Sequence, residues 1–369
     1  FINGASVTIT RDNPLDRLNY GSPVSLKIYR RDEIAGGDSC YQIARQPIFN
    51  THGILSDRRG DIMLLINGMP VIHIELKRSG VPVMEAANQI IRYSKEGVFT
   101  GLFSMVQVFV AMNPEETIYF ANPGPNAEFN DKFFFHWADF NNERVDKWED
   151  IAEKLLSIPM AHKLIGFYTV ADKADNCLKV MRSYQYFAAE KVSDQVGKLK
   201  DQDGLKLAGF IYACTGSGKT MSSFKSAQLI ASSGNADKVV FLVDRIELGT
   251  QSLDAYQSYA NDDESVQSTS STDILVERLK SNNSSDQLIV TSIQKMSKIT
   301  PDNTNGSDYK KILGKKIVIL IDECHRDTHG DMLINIKKTF PHAMYFGFTG
   351  TPIFEGDEIR GNTTADVFG

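Results

Sequence analysis

A glycine-rich turn near the middle of the chain has the composition of a phosphate-binding loop. Its sequence, Ala-Cys-Thr-Gly-Ser-Gly-Lys-Thr, follows an apolar run and precedes a predicted helix over 221–231. Backbone N–H groups of such a turn, with the N-terminus of the next helix, can bind phosphate oxygens. Lys219 would reach the β- and γ-phosphates of a nucleotide, and the Thr220 hydroxyl would ligate Mg²⁺. The predicted nucleotide-binding residues here are Thr215, Gly216, Ser217, Gly218, Lys219 and Thr220.

The turn departs from the usual pattern at its first position, where Ala213 replaces glycine. A simple Gly/Ser-rich turn before a helix is the alternative interpretation. A pair of acids further along the chain argues against it. The apolar run Lys316–Ile321 leads directly into Asp322, Glu323, Cys324 and His325. Asp322 would hold Mg²⁺, and Glu323 would polarise the attacking water.

The elements around these residues alternate between strands and helices. Strands are predicted at 207–213, 238–243, 287–292, 316–321 and 343–347, with helices in most of the gaps. Residues 261–286 are rich in Ser, Asn and Asp around one short predicted helix, and 299–309 is predicted as a polar loop. This alternation predicts a parallel, doubly wound sheet. The polar residues that follow each strand would then lie along one edge of the sheet, where such folds bind their ligands.

A second group of charged residues lies near the start of the chain. Asp61, Glu75 and Lys77 flank two apolar runs joined by Asn67 and Gly68, which predicts a β-hairpin. Two carboxylates could hold Mg²⁺ beside a phosphodiester, and a lysine could stabilise the developing negative charge. Taken alone, this spacing would also fit a solvated strand face.

A metal site shared by the two carboxylates would place a geometric condition on the hairpin. Asp61 and Glu75 can share one metal only if they lie on the same face, which requires a turn centred on Gly68. A regular two-residue turn at Asn67 and Gly68 would place Asp61 opposite Ile74 and direct Glu75 to the other face. We therefore predict a turn with an odd number of residues, or a β-bulge that restores the phase.

The next predicted element is a helix from Pro82 to Glu96, which Gly97 ends. It carries Gln89 and Tyr93 four residues apart, so both lie on one face. We expect Lys77 and Gln89 to point into the pocket that holds the two carboxylates. Four arginines nearby could contact phosphates or form a solvated basic rim: Arg58, Arg59, Arg78 and Arg92.

Composition narrows the class of protein. The chain has 369 residues, 42% of them hydrophobic, and a formal net charge of −6. That charge argues against a generally basic nucleic-acid coat protein, although not against a local basic groove. The four scattered cysteines indicate reduced thiols in a cytoplasmic protein, and no run is long enough to cross a membrane. Because the chain begins with Phe1 instead of Met, we expect a fragment of a longer protein.

The order of motifs in the second half resembles the first RecA-like domain of superfamily 2 helicases and translocases. In that comparison Thr215–Thr220 is similar to motif I, Asp322–His325 to motif II, and Thr349–Thr351 to motif III. Asp244 and Arg245 are similar to motif Ia, and Gln185 to the adenine-recognising Q motif. The resemblance implies ATP and Mg²⁺ as cofactors, and coupling of hydrolysis to DNA through His325, Thr349 and Thr351. The second RecA-like domain would be absent.

The first half resembles PD-(D/E)xK nucleases, with Gly60 in place of the usual proline. The Gln-x-x-x-Tyr pair on the helix is similar to RecB-family nucleases, and the hairpin to the restriction subunit of type I restriction-modification enzymes. The resemblance implies a nuclease domain over 1–156, a connector over 157–183 and a motor domain over 184–369. It further implies that Asp61, Glu75, Lys77, Gln89, Tyr93 and Glu323 are catalytic, and that Asp61, Glu75, Thr220 and Asp322 hold metal.

The family resemblance implies ATP-dependent translocation on double-stranded DNA and Mg²⁺-dependent cleavage away from the recognition site. Methyltransferase and specificity subunits would be partners. An alternative is a superfamily 2 helicase of another repair or defence system, whose N-terminal domain binds DNA without cutting it. A third possibility is a non-enzymatic interaction module gated by ATP. Mg²⁺-dependent cleavage and ATPase activity separate the three.

Overall fold

The computed structural model describes residues 6–27, 30, 33–34, 36–49, 57–125, 127–198, 208–214, 216–243, 246–260, 266–322, 330–352 and 364. The chain forms two compact units, Phe1–Tyr184 and Gln185–Gly369.

The first unit is built around a mixed sheet. The strands of the whole unit are β1 (Ser6–Thr10), β2 (Pro23–Lys27), β3 (Tyr41–Arg45), β4 (Ile48–Phe49), β5 (Arg58–Arg59), β6 (Ile62–Ile66), β7 (Met69–Leu76), β8 (Val108–Met112), β9 (Thr117–Ala121), β10 (Thr169–Asp172) and β11 (Cys177–Val180). Its helices are α1 (Val83–Lys95), α2 (Trp148–Lys154) and α3 (Ile158–Gly166). Five strands pair in the order β3-β6-β7-β8-β9. Only β7 and β8 are parallel, and the other three pairs are antiparallel.

Helix α1 covers one face of this sheet. It begins one residue after Pro82 and ends at Lys95, so the predicted helix is confirmed to within one residue at each end. Gly97, just beyond the C-cap, has a φ of +77°, the left-handed conformation that glycine adopts without strain. The buried side of α1 packs into a core with Phe49, Met63 and Phe109. The polar residues Gln89 and Tyr93 are thereby held against the sheet.

Residues 157–183 contain regular structure of their own. Helix α3 is followed by an antiparallel hairpin, in which β10 pairs with β11. Twelve of its 27 residues are buried, and the Tyr119 hydroxyl donates a hydrogen bond to the carbonyl of Met181 at 3.0 Å. Contacts of this kind place the segment within the first unit. Instead of a bare connector, it is part of a folded body.

The second unit is a six-stranded parallel sheet. Its strands are β12 (Ala208–Tyr212), β13 (Lys238–Val243), β14 (Val266–Ser268), β15 (Leu288–Ser292), β16 (Ile317–Asp322) and β17 (Met344–Thr349), in the order β12-β17-β16-β13-β15-β14. Its helices are α4 (Ser183–Lys198), α5 (Lys219–Ser232), α6 (Ile246–Tyr259), α7 (Thr272–Lys280), α8 (Ile293–Met296), α9 (Gly306–Leu313) and α10 (Gly330–Thr339); α4 starts at the end of the first unit. Every described pair in this sheet is parallel.

Alternating side chains of the central strands form two hydrophobic cores, one on each face. Phe241 packs with residues of α5 and α6, whereas Leu242 packs with residues of α7 to α10. A parallel strand buried on both faces needs apolar residues at consecutive positions, as β13 and β16 have. The predicted doubly wound fold is therefore confirmed.

Two elements differ from the sequence prediction. Strand β14 lies at the edge of the sheet, within a Ser/Asn/Asp-rich stretch that predicted only one short helix. It has three residues and pairs along one side only, so local propensity gives little signal for it. Helix α9 begins at Gly306, inside a stretch predicted as loop, where the Asn305 side chain accepts a hydrogen bond from the backbone of Ser307.

Within the described ranges, no helix combines the length and apolar character needed to cross a membrane. Three of the four cysteines lie in those ranges, and each is a free thiol: Cys40, Cys177 and Cys214. The fourth, Cys324, lies outside the described residues.

Lys238 at the start of β13 is a buried lysine with a testable effect on stability. Its side chain is 1% exposed, and its ammonium donates to the carbonyl of Asp286 at 2.7 Å. Burial lowers the pKa of the Lys238 ammonium from 10.5 to about 8, although the charges of Asp286 and Asp237 oppose that change. The unfolded chain therefore binds a proton at Lys238 more tightly than the folded chain does. The free-energy cost of burying this lysine falls as the pH rises from 8 to 10.5, so the stability of the fold rises over that range.

We compare the free energy of unfolding of the wild-type chain with that of Lys238→Met. The difference, wild type minus variant, should rise by about 1–2 kcal/mol between pH 7.5 and 9.5. Thermal unfolding of both proteins at several pH values measures the difference, in which contributions from all other groups cancel. Lys298→Met is the matched control, because Lys298 is exposed. A stability difference that stays constant with pH would contradict the pKa assigned to Lys238.

Candidate functional sites

The hairpin of β6 and β7 meets the predicted geometric condition through a bulge. Its turn has two residues, Asn67 and Gly68, both with positive φ (53° and 80°). Next to the turn Leu65 pairs with Pro70, but further along Leu64 pairs with Ile72, so the register shifts by one residue. Val71 is the extra residue, and the shift brings Asp61 opposite Glu75. The predicted bulge is confirmed.

Glu75 is the buried centre of this site. Its side chain is 2% exposed, and Oε1 accepts a hydrogen bond from Nε2 of Gln89. Nζ of Lys77 lies 4.0 Å from the same oxygen. Asp61 lies beside it, with Oδ2 accepting a hydrogen bond from the backbone N–H of Leu76 at 2.8 Å. The structure thus brings both carboxylates to one end of the hairpin.

Helix α1 supplies the rest of the polar cluster. Oε1 of Gln89 accepts a hydrogen bond from Nζ of Lys77 at 2.6 Å, and Nε2 of Gln89 also donates to the Tyr93 hydroxyl at 3.0 Å. The hydroxyl in turn donates to the carbonyl of Arg59 at 3.2 Å. Gln89 therefore links the lysine to Glu75, and Tyr93 fixes the amide. Hydrogen bonds thus link four of the five residues predicted for this site, and Asp61 accepts its hydrogen bond from Leu76, next to Glu75 in the chain.

Burial dominates the electrostatics of the pocket. It raises the pKa of the Glu75 carboxyl, and the nearby charge of Asp61 raises it further, against the opposing effects of His73 and Lys77. Oε2 of Glu75 has no hydrogen-bond donor among the described residues. A buried carboxylate oxygen without a donor is suited to a hard cation such as Mg²⁺, which one or two carboxylates commonly hold. No cluster of three or more His, Cys, Asp or Glu side chains suitable for a metal occurs in the described ranges.

His73 is a neighbour of Glu75 that the sequence analysis missed. Its Nε2 lies 3.2 Å from Oε2 of Glu75, and its side chain is fully buried. The signal was present in the sequence, because residues two apart on a strand share a face. A histidine at that position, inside an otherwise apolar strand, marks the same face as Glu75.

The neighbouring arginines differ in their surroundings. Nε of Arg58 pairs with Glu96 at 2.6 Å, an ion pair that occupies the guanidinium. The guanidinium of Arg92 lies 5.8 Å from the centre of the Tyr93 ring.

The second unit holds the glycine-rich turn between β12 and α5. Gly216 and Gly218 have φ values of +78° and +80°, so both adopt the left-handed conformation. The backbone N–H of Ser217 donates to the carbonyl of Cys214 at 3.1 Å, and α5 begins at Lys219. A turn with left-handed glycines that leads into the N-terminus of a helix is the arrangement in which proteins commonly bind phosphate.

Gln185 contacts the glycine-rich turn directly. Its Nε2 donates to the carbonyl of Ser217 at 2.9 Å and to that of Gly218 at 3.3 Å. A Cβ atom at Gly218 would lie 2.3 Å from the same nitrogen, so the contact requires glycine there. The glutamine predicted to recognise adenine thus braces the phosphate turn in this structure.

Two further predicted motor residues, Asp322 and Thr349, lie at the carboxyl ends of neighbouring strands. Tyr212 at the end of β12 pairs with Thr349 of β17, and Asp322 of β16 pairs with Phe348. Oγ1 of the buried Thr349 accepts a hydrogen bond from the backbone N–H of Thr351 at 3.1 Å. These strand ends and the glycine-rich turn occupy one edge of the sheet.

Several predicted residues lie outside the described ranges: Thr215, Asp244, Arg245, Glu323, Cys324 and His325. For Asp322 the structure describes the backbone alone. The acidic half of the nucleotide site therefore stays a prediction.

Two family models match the chain, one in each half. Residues 184–369 match the SWI2/SNF2 ATPase model, and residues 10–128 match the model of the type I restriction enzyme R protein N terminus. The first match begins within one residue of the second structural unit.

Individual relatives agree with both models. A type I restriction enzyme endonuclease subunit of Staphylococcus saprophyticus is 39% identical over 312 residues, 84% of this chain and 32% of the relative. A Mycoplasma pneumoniae chain, named as the C-terminal part of a type I restriction enzyme endonuclease subunit, is 32% identical over 55% of this chain and 99% of its own length. The chain spans about a third of the length of the staphylococcal relative.

Proposed function

Because the chain belongs to the family of type I restriction enzyme endonuclease subunits, we propose that it forms the nuclease and first motor domain of such a subunit. The subunit would translocate double-stranded DNA with ATP and cut it at a distance from the recognition site. Its partners would be the methyltransferase and specificity subunits of the same system. It would act in the cytoplasm.

The single observation that carries the nuclease assignment is the cluster around Glu75. Asp61 and Glu75 lie on one face of the hairpin, and Gln89 connects Glu75 to Lys77. In the proposed mechanism the two carboxylates hold Mg²⁺, which when bound makes a hydroxide nucleophile available and neutralises charge on the phosphate. Lys77 stabilises the negative charge that develops on the scissile phosphate. Gln89 and Tyr93 keep the lysine and Glu75 in place.

In the motor domain the glycine-rich turn binds the phosphates of ATP. Lys219 contacts the β- and γ-phosphates, while Thr220 and Asp322 hold the Mg²⁺ that accompanies the nucleotide. Glu323 orients the attacking water. This part of the proposal is supported by the left-handed glycines of the turn and the match to an ATPase family.

Cleavage by the assembled enzyme tests the proposal. The full-length subunit, with its methyltransferase and specificity partners, should cut unmethylated circular DNA only when both ATP and Mg²⁺ are present. Asp61→Ala should abolish cutting and leave ATP hydrolysis. DNA binding with ATPase activity but no cleavage would instead identify a helicase whose N-terminal domain only binds DNA. Failure to copurify with those partners would contradict the assembly.

Gly218→Ala should damage nucleotide binding through a collision with Gln185. The new Cβ would lie 2.3 Å from Nε2 of Gln185, in a backbone conformation that also disfavours side chains. Strain of the left-handed conformation alone costs about 1–2 kcal/mol, and displacement of the bracing amide adds to it. We expect at least tenfold weaker ATP binding, measured by titration of a fluorescent nucleotide into the full-length subunit.

Gly234→Ala is the matched control for that variant. Gly234 also has a positive φ, +69°, but a Cβ there would meet nothing within 4 Å. It should lower stability slightly and leave ATP affinity unchanged. Equal loss of affinity in both variants would mean that general destabilisation, not damage at the glycine-rich turn, is responsible.

A further inference from the structure

His73 is a buried polar side chain whose hydrogen-bonding capacity is unused. Its ring is 0% exposed, and neither Nδ1 nor Nε2 has a hydrogen-bond partner among the described residues. The ring lies among phenylalanines, with centroid distances of 5.8 Å to Phe49 and 5.5 Å to Phe99. An apolar residue would fill that space without leaving buried polar atoms unsatisfied, which is unfavourable. Packing alone therefore does not account for a histidine here.

Glu75 has the complementary unsatisfied atom. Its Oε2 is buried without a hydrogen-bond donor, and Nε2 of His73 lies 3.2 Å away, at hydrogen-bond distance but not in hydrogen-bond alignment. The other oxygen, Oε1, is already bound by Gln89. An N–H of the ring aligned with Oε2 would satisfy both buried atoms and leave the second lone pair of Oε2 for a cation. The imidazole is then the group that fixes the rotation of the carboxylate.

Gly60 provides the space that this arrangement needs. A Cβ at position 60 would lie 2.6 Å from Cε1 of His73 and 2.9 Å from Cε2 of Phe49. Any larger residue, including the proline usual in this type of nuclease, would displace the ring. The departure from the common motif at Gly60 and the presence of His73 are thus two parts of one feature.

We propose that His73 is a positioning residue that orients the Glu75 carboxylate for metal binding, and that Gly60 is required to accommodate its ring. The proposal rests on the nuclease function proposed above. It predicts that metal affinity, and not only cleavage, depends on a hydrogen-bond donor at position 73. Mutation of a residue that hydrogen-bonds to a metal ligand, without contacting the metal, typically lowers metal affinity or activity by about 10- to 100-fold.

The test measures the binding of Mn²⁺, used as the probe metal, to the full-length subunit by calorimetry. No nucleotide is present. His73→Leu should weaken Mn²⁺ binding by roughly 10- to 100-fold, and His73→Gln, which keeps a donor, should bind more tightly than the leucine variant. Glu75→Gln, which removes the proposed metal ligand, shows how much Mn²⁺ binds at all other sites of the subunit. Gln107→Leu is the matched control, because Gln107 is also buried without side-chain partners. It lies just before β8 and donates its backbone N–H to Val71, which is four residues from Glu75 along β7.

Gly60→Ala completes a double-mutant cycle. Alone it should weaken Mn²⁺ binding as His73→Leu does, and in the His73→Leu background it should cause no further loss. Wild-type Mn²⁺ affinity in His73→Leu, equal loss in the glutamine and leucine variants, or additive losses in the cycle would each overturn the proposal. Normal Mn²⁺ binding by a wild-type enzyme that cuts no DNA would count against the nuclease function and not against this role of His73.

Discussion

Replacing Lys219 with alanine in the full-length subunit is expected to abolish ATP hydrolysis. Lys219 is the first residue of α5, directly after the left-handed Gly218. A lysine there contributes charge-assisted hydrogen bonds to phosphate, each worth about 1.5–3 kcal/mol. Its loss should weaken ATP binding roughly 10- to 100-fold, and turnover should fall to background because charge developing on the γ-phosphate is no longer neutralised. Phosphate release in the presence of DNA is the measurement.

The matched control is Lys298→Ala, which removes the same charge from an exposed position. It should hydrolyse ATP at the wild-type rate. Lys219→Ala should retain its thermal stability in the absence of nucleotide, which separates loss of function from loss of fold. Wild-type ATPase activity in Lys219→Ala would exclude the glycine-rich turn as the nucleotide site. Cleavage should disappear together with hydrolysis if cutting requires translocation.

The second large effect is expected from Glu75→Gln, which should abolish DNA cleavage and leave ATP hydrolysis intact. The amide is nearly isosteric with the carboxylate, so it preserves the shape of the pocket but removes the buried charge. It also replaces one of the two acceptor oxygens with an NH₂ donor, so hydrogen bonds can no longer be accepted at both positions. Without the carboxylate, the proposed metal loses its most buried ligand. We expect at least a 1000-fold loss of cutting, because metal ions of this kind lower the barrier by several kcal/mol.

Glu85→Gln provides the control, since Glu85 lies exposed in the first turn of α1. Agarose gels of circular DNA measure cutting, and phosphate release measures the motor on the same preparations. Should Glu75→Gln lose both activities while staying folded, the nuclease and motor would be coupled, and the assignment of separate sites would need revision. Residual cutting at the wild-type rate would remove Glu75 from the mechanism.

The sequence predicted the fold best where one physical rule dominated. In β13 and β16, consecutive apolar residues can be satisfied only by burial on both faces, so the parallel sheet followed directly. The helix α1 was equally well specified, by Pro82 at its start and Gly97 at its end. A change of phase in the hairpin, through an odd-length turn or a bulge, was predicted from a chemical requirement, because two carboxylates that share a metal must share a face.

Elements fixed by distant contacts were harder to predict. Strand β14 exists because β15 offers it a pairing edge, and the segment 157–183 is ordered by contacts such as that between Tyr119 and Met181. The role of Gln185 also depended on three-dimensional proximity, since 32 residues separate it from Ser217. None of these pairings leaves a local periodic pattern. Local sequence therefore specified element types well and long-range partners poorly.

Because Val71 is an extra residue in the bulge, Asp61 and Glu75 share a face only for certain hairpin lengths. Whether they do so depends on whether the number of residues between them is odd or even. Inserting or deleting one residue between Asp61 and Glu75 would move one carboxylate to the opposite face, even if every side chain in the cluster were kept. Changes of two residues would preserve the phase, and so would a single change that also removed the bulge. During evolution this hairpin should therefore lengthen or shorten in steps of two residues, or exchange a bulge for a residue in the turn.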